Sequence, residues 1–274
     1  MSEPHILNAR ANKSLGQHFL FDPDILNRTA LCTGPVEGRT VIEVGPGPGG
    51  LTAALLRNGA KKVIAVEMDP RFAENLRSWK ECKEGRLSVV GGDGLTLDYE
   101  KLVEGESLPV KIIANLPYNV GTPMLVNWIK SKSWRGEMGL MFQHEVAIRV
   151  CAQPEDKHYG RLAVLSQAVA NTHIAFTLPP GAFKPPPKVD SSVAVLMPLA
   201  DEEKYPHLGA LEKVTAAAFG QRRKMLRAAL KSLAKTKNLD ATEWLEKCDI
   251  DPTRRAETLT QHEFRALTDG FLLG

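Results

Sequence analysis

The sequence predicts a doubly wound α/β fold with a mostly parallel, seven-stranded sheet, followed by a small all-α domain. From residue 40 to about 200, short β-rich runs alternate with helical stretches, a pattern typical of βα units stacked on one sheet. Several runs are apolar throughout, as strands covered on both faces should be. The predicted strands are Thr40–Val44, Lys62–Val66, Leu87–Val90, Val110–Ala114, Gly139–Phe142, Thr172–Leu178 and Ser192–Leu196. Arg161–Ala170 is predicted as a helix.

The chain changes character after Pro198. Asp201–Lys204 is charged, and from Leu208 onward apolar residues fall at helical spacing with no further strand-like run. We therefore expect residues 201–274 to form a separate helical domain. Its first predicted helix is Leu208–Phe219, and the second runs from about residue 221 to 234.

The second predicted helix carries a basic stripe beside its apolar face. Arg222 to Lys237 contains seven Lys or Arg and no acidic residue, so the local charge is far more positive than the net charge of +3 of the whole chain. A solvated helix face and a surface that contacts phosphates are both consistent with this pattern. The apolar face is formed by Leu226, Leu230 and Leu233, and the stripe by Arg223, Arg227, Lys231 and Lys235.

Composition excludes several classes of protein. With 43% hydrophobic and 24% charged residues, the chain is neither fibrous nor disordered. The four cysteines are widely spaced, which favours reduced thiols and gives no metal-binding pattern. No apolar run approaches the roughly 18 residues of a membrane-spanning helix, and the N-terminus does not resemble a signal peptide. We expect a cytoplasmic protein without metal or membrane partners, and a monomer by default.

The segment from Thr40 to Thr52 is the strongest local signal for a cofactor. A predicted strand runs into a glycine-dense turn and then into a helix, the arrangement of a nucleotide-binding first βα turn. Glycines are needed there because the backbone approaches a ligand closely and adopts φ values closed to residues with a Cβ. Gly45, Gly47 and Gly50 also satisfy the spacing of dinucleotide enzymes, so the glycines by themselves leave the cofactor open.

Three acidic residues favour S-adenosylmethionine over a dinucleotide. Glu43 precedes the first glycine by two residues and would repel a pyrophosphate, but it suits a sulfonium or ammonium cation. Glu67 ends the second predicted strand, where it can accept hydrogen bonds from ribose hydroxyls, and Asp93 ends the third, where it can accept one from an adenine amine. The candidate cofactor-binding residues of these strand ends are Glu43, Gly45, Gly47, Glu67, Met68, Asp93, Gly94 and Asn115.

The motif Asn115-Leu-Pro-Tyr118 follows the fourth predicted strand and indicates the chemistry. The exocyclic amine of adenine is a weak nucleophile, so an enzyme must orient it and favour its pyramidal form. We expect the side-chain oxygen of Asn115 and the backbone carbonyl of Pro117 to accept its two N–H groups. The ring of Tyr118 would stack on the base, an interaction worth about 1 to 3 kcal/mol.

With these motifs, the sequence resembles the S-adenosylmethionine-dependent N6-adenine methyltransferases, and more closely the KsgA-type small-subunit rRNA adenine dimethyltransferases. The resemblance spans nearly the whole chain and implies a Rossmann-like class I methyltransferase sheet. The matching segments are Lys13–Leu20, Glu43–Gly49, Asn115–Tyr118, Gln143–Arg149, Tyr159–Leu162, Phe183–Ser191 and Ala218–Lys224.

The resemblance implies dimethylation of N6 of two adjacent adenosines in a hairpin loop near the 3′ end of 16S rRNA, on the assembling 30S particle. It implies three parts: an arm over the cofactor at residues 1–20, a methyltransferase domain at 21–200, and an RNA-contacting helical domain at 201–274. In the arm, Gln17, His18 and Leu20 would cover the cofactor, and Phe183 would offer the target base a second aromatic face. The residues expected to grip RNA phosphates are Arg222, Arg223, Lys224, Arg227 and Lys231.

Three alternatives remain open on the sequence. A relative that methylates large-subunit rRNA would share the cofactor and Asn-Leu-Pro-Tyr motifs. An assembly factor that checks the small subunit would need binding rather than catalysis, although the site residues are intact. An NAD-dependent oxidoreductase would explain the glycine turn but leaves Glu43 and Asn115–Tyr118 without a role.

Overall fold

The chain folds into two compact units. The computed structural model describes residues 17–131 and 134–274. The first unit comprises the described residues up to Ala147 together with His173–Met197, and the second comprises Ile148–Thr172 and Pro198–Gly274. No helix in the described part of the chain is both long enough and apolar enough to cross a membrane.

The seven predicted strands are confirmed and form one sheet. They are β2 (Thr40–Val44), β3 (Lys62–Glu67), β4 (Leu87–Gly91), β5 (Val110–Asn115), β6 (Arg135–Gln143), β7 (Ala170–Leu178) and β9 (Ser191–Pro198), while β1 (Phe19–Leu20) and β8 (Phe183–Lys184) lie outside this sheet. The sheet order is β4-β3-β2-β5-β6-β9-β7. The pairs from β4 to β6 are parallel, whereas β9 runs antiparallel to β6. The sequence did not predict the separate two-stranded pairing of β1 with β8.

Helices connect the strands and cover the sheet. Those of the first unit are α1 (Pro23–Ala30), α2 (Gly50–Arg57), α3 (Pro70–Arg77), α4 (Lys80–Lys83), α5 (Tyr99–Leu102) and α6 (Gly121–Lys130). Two of them start for the same local reason: an aspartate caps the free N–H groups and a proline follows at the first helical position. Asp22 accepts from the N–H groups of Asp24 and Ile25, and Asp69 accepts from that of Arg71.

The parallel strands place the candidate site. Every residue of β2 is buried, as are all but the first residue of β3 and all but the last of β5. Strands buried on both faces gain apolar burial along their whole length, which fixes their position in the layer. Because these strands run in the same direction, their carboxyl ends meet at one edge of the sheet. Ligands of open α/β sheets bind at such an edge.

The second unit contains the remaining helices. They are α8 (Arg161–Gln167), α9 (Leu208–Gly220), α10 (Leu226–Ala229), α11 (Lys231–Lys235), α12 (Ala241–Lys247) and α13 (Gln261–Leu273), while α7 (His144–Cys151) crosses the boundary between the units. Helix α9 confirms the first helix predicted after residue 201. Within this unit the ring of Phe219 stacks on that of Phe264, with ring centroids 5.5 Å apart.

The second unit is larger than the helical domain expected at 201–274, because it includes Ile148–Thr172. Helix α8 packs with α9 and α13: Arg161 pairs with Glu212 at 3.3 Å, and the Gln261 side chain donates to the Val164 carbonyl oxygen at 2.8 Å. The sequence prediction left this segment in the sheet domain because the change to helical spacing without strand-like runs begins only after Pro198.

The second helix expected after residue 220 is not continuous. Residues 221–225 form turns, and the helical conformation is interrupted at Leu230 between α10 and α11. The N–H groups of Leu226 and Arg227 donate to the carbonyl oxygens of Arg254 and Pro252, at 2.8 and 3.1 Å. A continuous helix would direct these groups to its own preceding turn. The basic residues at intervals of four therefore do not share one helix face.

A capping box at the start of α13 provides a test of stability in the second unit. The Thr260 hydroxyl accepts from the N–H of Glu263, and the Glu263 carboxylate accepts from the N–H of Thr260. We expect Thr260→Ala to lower the free energy of unfolding by about 1 kcal/mol, because two helix-terminal N–H groups lose order or partners. Urea denaturation measures the change. Thr260→Ser keeps the hydroxyl and should stay close to wild type; equal losses in both variants would contradict the prediction.

Candidate active site

A cavity of about 310 Å³ opens at the carboxyl ends of the central strands, a size suited to a small-molecule ligand. It lies within the first unit and brings together most of the predicted site residues. The predicted residues that line it are Gln17, His18, Leu20, Glu43, Gly45, Gly47, Glu67, Met68, Asp93, Gly94, Asn115, Pro117 and Tyr118. Phe183 is not among the lining residues.

The glycine turn after β2 is held in place by the acid at the end of β3. The Glu67 carboxylate accepts hydrogen bonds from the N–H groups of Gly47 at 2.9 Å and Asp69 at 2.8 Å. Gly47 has a φ of 52°, and a Cβ there would lie 2.7 Å from the ring of Phe19. Conformation and space therefore both require glycine at this position. Glu67 thus shapes the turn as well as lining the cavity.

Glu43 is a buried carboxyl at the floor of the cavity, with an exposed fraction of 1%. Its partner is Thr52, whose hydroxyl donates to it at 2.6 Å. Burial raises the pKa of Glu43 to about 8, and the nearby Glu67 carboxylate adds to the rise. Glu43 is therefore largely neutral at pH 7 in the free protein. A cation in the cavity would favour its ionised form.

The turn after β4 forms the side of the cavity next to Asp93. The Asp93 carboxylate accepts from the N–H of Leu95 at 2.9 Å, and the Tyr99 hydroxyl donates to the carbonyl oxygen of Gly94 at 2.8 Å. A Cβ at Gly94 would come within 2.8 Å of Met124, so this wall leaves no room for a side chain. The exposed side chain of Met68, with 59% of its area accessible, supplies apolar surface.

These residues fit S-adenosylmethionine. Glu43 and Glu67 bring two carboxyls, for both of which burial raises the pKa, into a cavity where a bound cation would relieve the cost of ionisation. Asp93 follows β4 and lines the same cavity, where its carboxylate offers a hydrogen-bond acceptor to an adenine amine. A pyrophosphate brings no positive charge and would further disfavour ionisation of the same carboxyls. The cavity therefore suits a cationic nucleoside better than a dinucleotide.

Asn115 is fixed at the end of β5 by the N-terminal segment. Its side-chain amide nitrogen donates to the backbone carbonyl oxygen of His18 at 3.0 Å. The amide can direct only one end toward His18, so the carbonyl end, Oδ1, is the acceptor that Asn115 offers to a ligand. The arrangement agrees with the acceptor role expected for Asn115.

The acceptor role expected for Pro117 is corrected by the structure. The Pro117 carbonyl oxygen accepts the N–H groups of Val120 and Gly121, both at 3.1 Å, as the chain enters α6. Its two lone pairs are thus already used. In the described part of the chain, no backbone N–H outside the helices and strands donates to the carbonyl oxygen of Leu116, which also lines the cavity. We therefore expect the carbonyl oxygen of Leu116, and not that of Pro117, to be the backbone acceptor beside Asn115.

Tyr118 is held from two sides. Its hydroxyl shares a hydrogen bond of 2.5 Å with the hydroxyl of Ser191, and burial raises the pKa of Tyr118, which keeps the phenol neutral. The imidazole of His18 stacks against its ring, with centroids 5.3 Å apart and an interplanar angle of 28°. His18 is itself fixed by a hydrogen bond of 2.8 Å between Nδ1 and the carbonyl oxygen of Pro185.

Phe183, expected to offer a second face to the base, instead lies in the hydrophobic core with 2% of its area exposed. It pairs with Leu20 across β1 and β8, and the alternation of a strand then directs Lys184 to solvent and Phe183 inward. The aromatic neighbour of Tyr118 is His18. The sequence held no signal for this contact, because it joins segments far apart in the chain.

The basic residues of the second unit differ in their surroundings. Arg222 is used internally: it donates to Glu257 at 2.7 Å and to the carbonyl oxygen of Lys157 at 2.8 Å. The structure thus does not offer it as a free phosphate ligand. The other predicted residues are exposed and have no ion pair within residues 17–131 and 134–274: Arg223, Lys224, Arg227 and Lys231. The motif residues 13–16 lie outside the described residues.

Comparisons with known proteins agree on one family. A family model described as "Ribosomal RNA adenine dimethylase" matches residues 8–269. A protein named "Ribosomal RNA small subunit methyltransferase A" from Agrobacterium fabrum is 52% identical over 262 residues, covering 94% of this chain and 92% of the relative. A protein of the same name from Gluconobacter oxydans is 51% identical, covering 94% and 82%.

Solved structures share the fold. A dimethyladenosine transferase from Plasmodium falciparum matches with a TM-score of 0.75 and 25% identity, covering 91% of this chain and 96% of that one. The 23S rRNA methyltransferase ErmE matches with a TM-score of 0.66 and 23% identity, covering 92% and 99%. At 23% identity, the similarity to ErmE shows a shared fold.

The burial of Glu43 predicts a specific pH dependence of stability. Its pKa of about 8 in the folded protein lies above the ordinary value of 4.5, so the folded state holds this proton more tightly than the unfolded state does. The stabilisation by protonation is complete below pH 4.5 and is lost as the pH rises through about 8. Glu43→Gln cannot ionise and keeps an acceptor for Thr52. We expect its free energy of unfolding, relative to wild type, to rise between pH 5 and 8 by up to about 1.4 kcal/mol per pH unit.

Urea denaturation at several pH values measures this difference. The matched control is Glu145→Gln, the same substitution at an exposed position, where the difference from wild type should not grow in this way. A difference that stays constant from pH 5 to 9 for Glu43→Gln would mean that this carboxyl does not titrate as the burial requires.

Proposed function

The chain belongs to the ribosomal RNA adenine dimethylase family, and from this premise we propose its substrate: two adjacent adenosines in a hairpin loop near the 3′ end of 16S rRNA. It is an rRNA adenine dimethyltransferase that uses S-adenosylmethionine. We propose that it acts on the assembling 30S particle, in the cytoplasm and as a monomer.

The choice of the small subunit rests on the curated relatives. Those at 51–52% identity carry a small-subunit name and are matched over 94% of this chain. The large-subunit enzyme ErmE, at 23% identity, shares the fold and gives no support for a large-subunit target. Small-subunit rRNA is therefore the favoured substrate. A concurrent role in checking assembly is compatible with this activity.

A single observation carries the proposed chemistry: Asn115 and Tyr118 line the same cavity as Gly45, Glu67 and Asp93. The residues suited to a nucleobase amine thus lie within one cavity with those suited to the cofactor. S-adenosylmethionine, when bound, supplies the cationic sulfonium whose methyl group is transferred. Placing two reactants in one cavity replaces a bimolecular encounter by a nearly unimolecular step.

The chain's own acceptors orient the target amine. With its nitrogen bonded to His18, Asn115 presents Oδ1, and the Leu116 carbonyl oxygen lies one residue further along the chain. Two acceptors for two N–H groups draw the amine toward a pyramidal geometry, which frees its lone pair for attack. The methylated ammonium then loses a proton readily, so no strong general base is required.

The second methyl transfer makes a different demand on the same residues. The singly methylated amine retains one N–H group, so one acceptor keeps its hydrogen bond and the other faces a methyl group. Oδ1 of Asn115 and the backbone oxygen of Leu116 must therefore tolerate both arrangements. The stack on Tyr118 is independent of the state of the amine and holds the base in both transfers.

We propose that the second unit contacts rRNA through its exposed basic residues. Arg223, Lys224, Arg227 and Lys231 carry positive charge at the surface of α10, α11 and the turns before them. Phosphate contacts of this kind position an RNA without reading its bases. An unstacked adenosine of a loop then enters the cavity at low cost.

The role of Asn115 gives the first test of this proposal. We expect Asn115→Ala to lower the rate of rRNA methylation by at least about 100-fold, because the target amine loses an acceptor that acts in the transition state. Mass spectrometry of small-subunit rRNA, before and after incubation with protein and S-adenosylmethionine, identifies the modified base and the number of methyl groups.

The control is Asn171→Ala, an exposed asparagine of β7 outside the cavity, which should retain wild-type activity. Binding of S-adenosylhomocysteine, measured by calorimetry, should fall far less than activity in Asn115→Ala. Unmodified small-subunit rRNA after incubation with the wild-type protein would contradict the proposal. Methylation of large-subunit rRNA would instead identify the large subunit as the target.

The phosphate contacts predict a change in salt dependence. We expect Lys224→Ala and Lys231→Ala each to reduce the slope of log affinity for rRNA against log salt by about 0.7 to 0.9, as the loss of one phosphate contact does. Filter binding of an rRNA fragment over a range of salt concentrations measures the slope. Lys101→Ala, at an exposed lysine of the first unit, is the matched control. Unchanged slopes in both Lys224→Ala and Lys231→Ala would mean that these lysines do not contact RNA phosphates.

A further inference from the structure

Ser191 contacts Tyr118 but has no role in the reaction proposed above. It is the first residue of β9, has an exposed fraction of 0%, and lies opposite Gln143 in the antiparallel register with β6. Its hydroxyl lies 2.5 Å from the hydroxyl of Tyr118. A buried hydroxyl is costly unless it is hydrogen-bonded, so each of these two groups depends on the other.

The neighbouring Ser192 provides a natural contrast. It is equally buried, but its hydroxyl bonds to Nδ1 of His144 and to the hydroxyl of Thr177, both at 2.8 Å. Successive residues of a strand point to opposite faces, which separates the two serines. The contact with Tyr118 is therefore made by Ser191, whereas the neighbouring Ser192 bonds to His144 and Thr177.

We propose that Ser191 is a positioning residue for methyl transfer: its hydroxyl fixes the ring of Tyr118 in the orientation in which it stacks on the target base. This proposal rests on the proposed function, in which Tyr118 contacts the adenine. The hydrogen bond acts at the far end of the ring, where it most effectively opposes a swing of the ring about the Cα–Cβ bond.

The surroundings of Tyr118 explain why such an anchor is needed. The loop from Asn115 to Gly121 is fixed through its backbone by the two hydrogen bonds to the Pro117 carbonyl oxygen, but these do not define the position of the Tyr118 ring. The ring also stacks against the His18 imidazole at a centroid distance of 5.3 Å. Stacking allows sliding and tilting, whereas a hydrogen bond at a fixed buried atom does not.

A double-mutant cycle tests this role. Ser191→Ala and Tyr118→Phe remove the same hydrogen bond from its two ends. We expect each to lower kcat for rRNA methylation by about three- to tenfold, and the double variant to be no slower than the slower single variant. The KM for S-adenosylmethionine and the affinity for S-adenosylhomocysteine should remain at wild-type values. Ser192→Ala is the matched control and should retain wild-type kcat.

A fluorescent substrate supplies a readout that a structural defect would not mimic. With 2-aminopurine at the position of the target adenosine, stacking on Tyr118 should quench the emission when the RNA binds to wild type. We expect weaker quenching with Ser191→Ala and Tyr118→Phe at saturating protein, and wild-type quenching with Ser192→Ala. If Ser191→Ala does not fold, Tyr118→Phe still reports the loss of the bond, and an unchanged kcat and quenching in that variant overturn the proposal.

The outcomes separate this proposal from the function on which it rests. An active wild-type enzyme with additive losses in the double variant, or with unchanged kcat in Ser191→Ala, overturns the positioning role and leaves the function intact. A wild-type protein that does not methylate small-subunit rRNA overturns the proposed function and, with it, the role of Ser191. Equal, non-additive losses support the positioning role.

Discussion

The parallel register of the central strands is the constraint on which the site depends. Val44 pairs with Val66, Glu67 with Gly91, and Asn115 with Met141, so neighbouring strands end almost level with one another. A slip by one residue would reverse the face of every side chain on a strand. Because β2, β3 and β5 are buried on both faces, their apolar side chains would then pack against the wrong side of the layer. Apolar burial in the sheet therefore also fixes where the polar strand ends meet.

The strand ends bring acidic groups together at a cost to the free protein. Burial raises the pKa of both Glu43 and Glu67, so ionising either carboxyl is unfavourable without a compensating charge. Such strain is typical of binding sites, where groups are arranged for the ligand rather than for the empty fold. The backbone N–H groups of Gly47 and Asp69 offset part of this cost for Glu67. Glu43 has the Thr52 hydroxyl and is left more dependent on a cation.

Local patterns predicted the strands and most of the cavity, and long-range contacts account for what they missed. Apolar runs bounded by glycine or acidic residues located all seven strands of the sheet, since burial on both faces leaves a direct mark on the sequence. The late start of α10 at Leu226 depends on acceptors supplied by Pro252 and Arg254, which periodicity cannot show. Phe183 faces inward because β8 pairs with β1, and β1 is far away in the sequence. The carbonyl oxygen of Pro117, expected to accept from the target amine, instead accepts the N–H groups of Val120 and Gly121 at the start of α6.

The short segment around His18 contacts both Asn115 and Tyr118 in the cavity. Its backbone oxygen holds Asn115, its ring packs on Tyr118, and Nδ1 reaches Pro185 in the proline-rich loop. The next two residues form β1, which pairs with β8 in that same loop. Displacing this segment would release the Asn115 amide and one contact of the Tyr118 ring together. The orientation of the acceptor and the orientation of the stacking ring are therefore coupled, and both depend on strand pairing rather than on the catalytic motif itself.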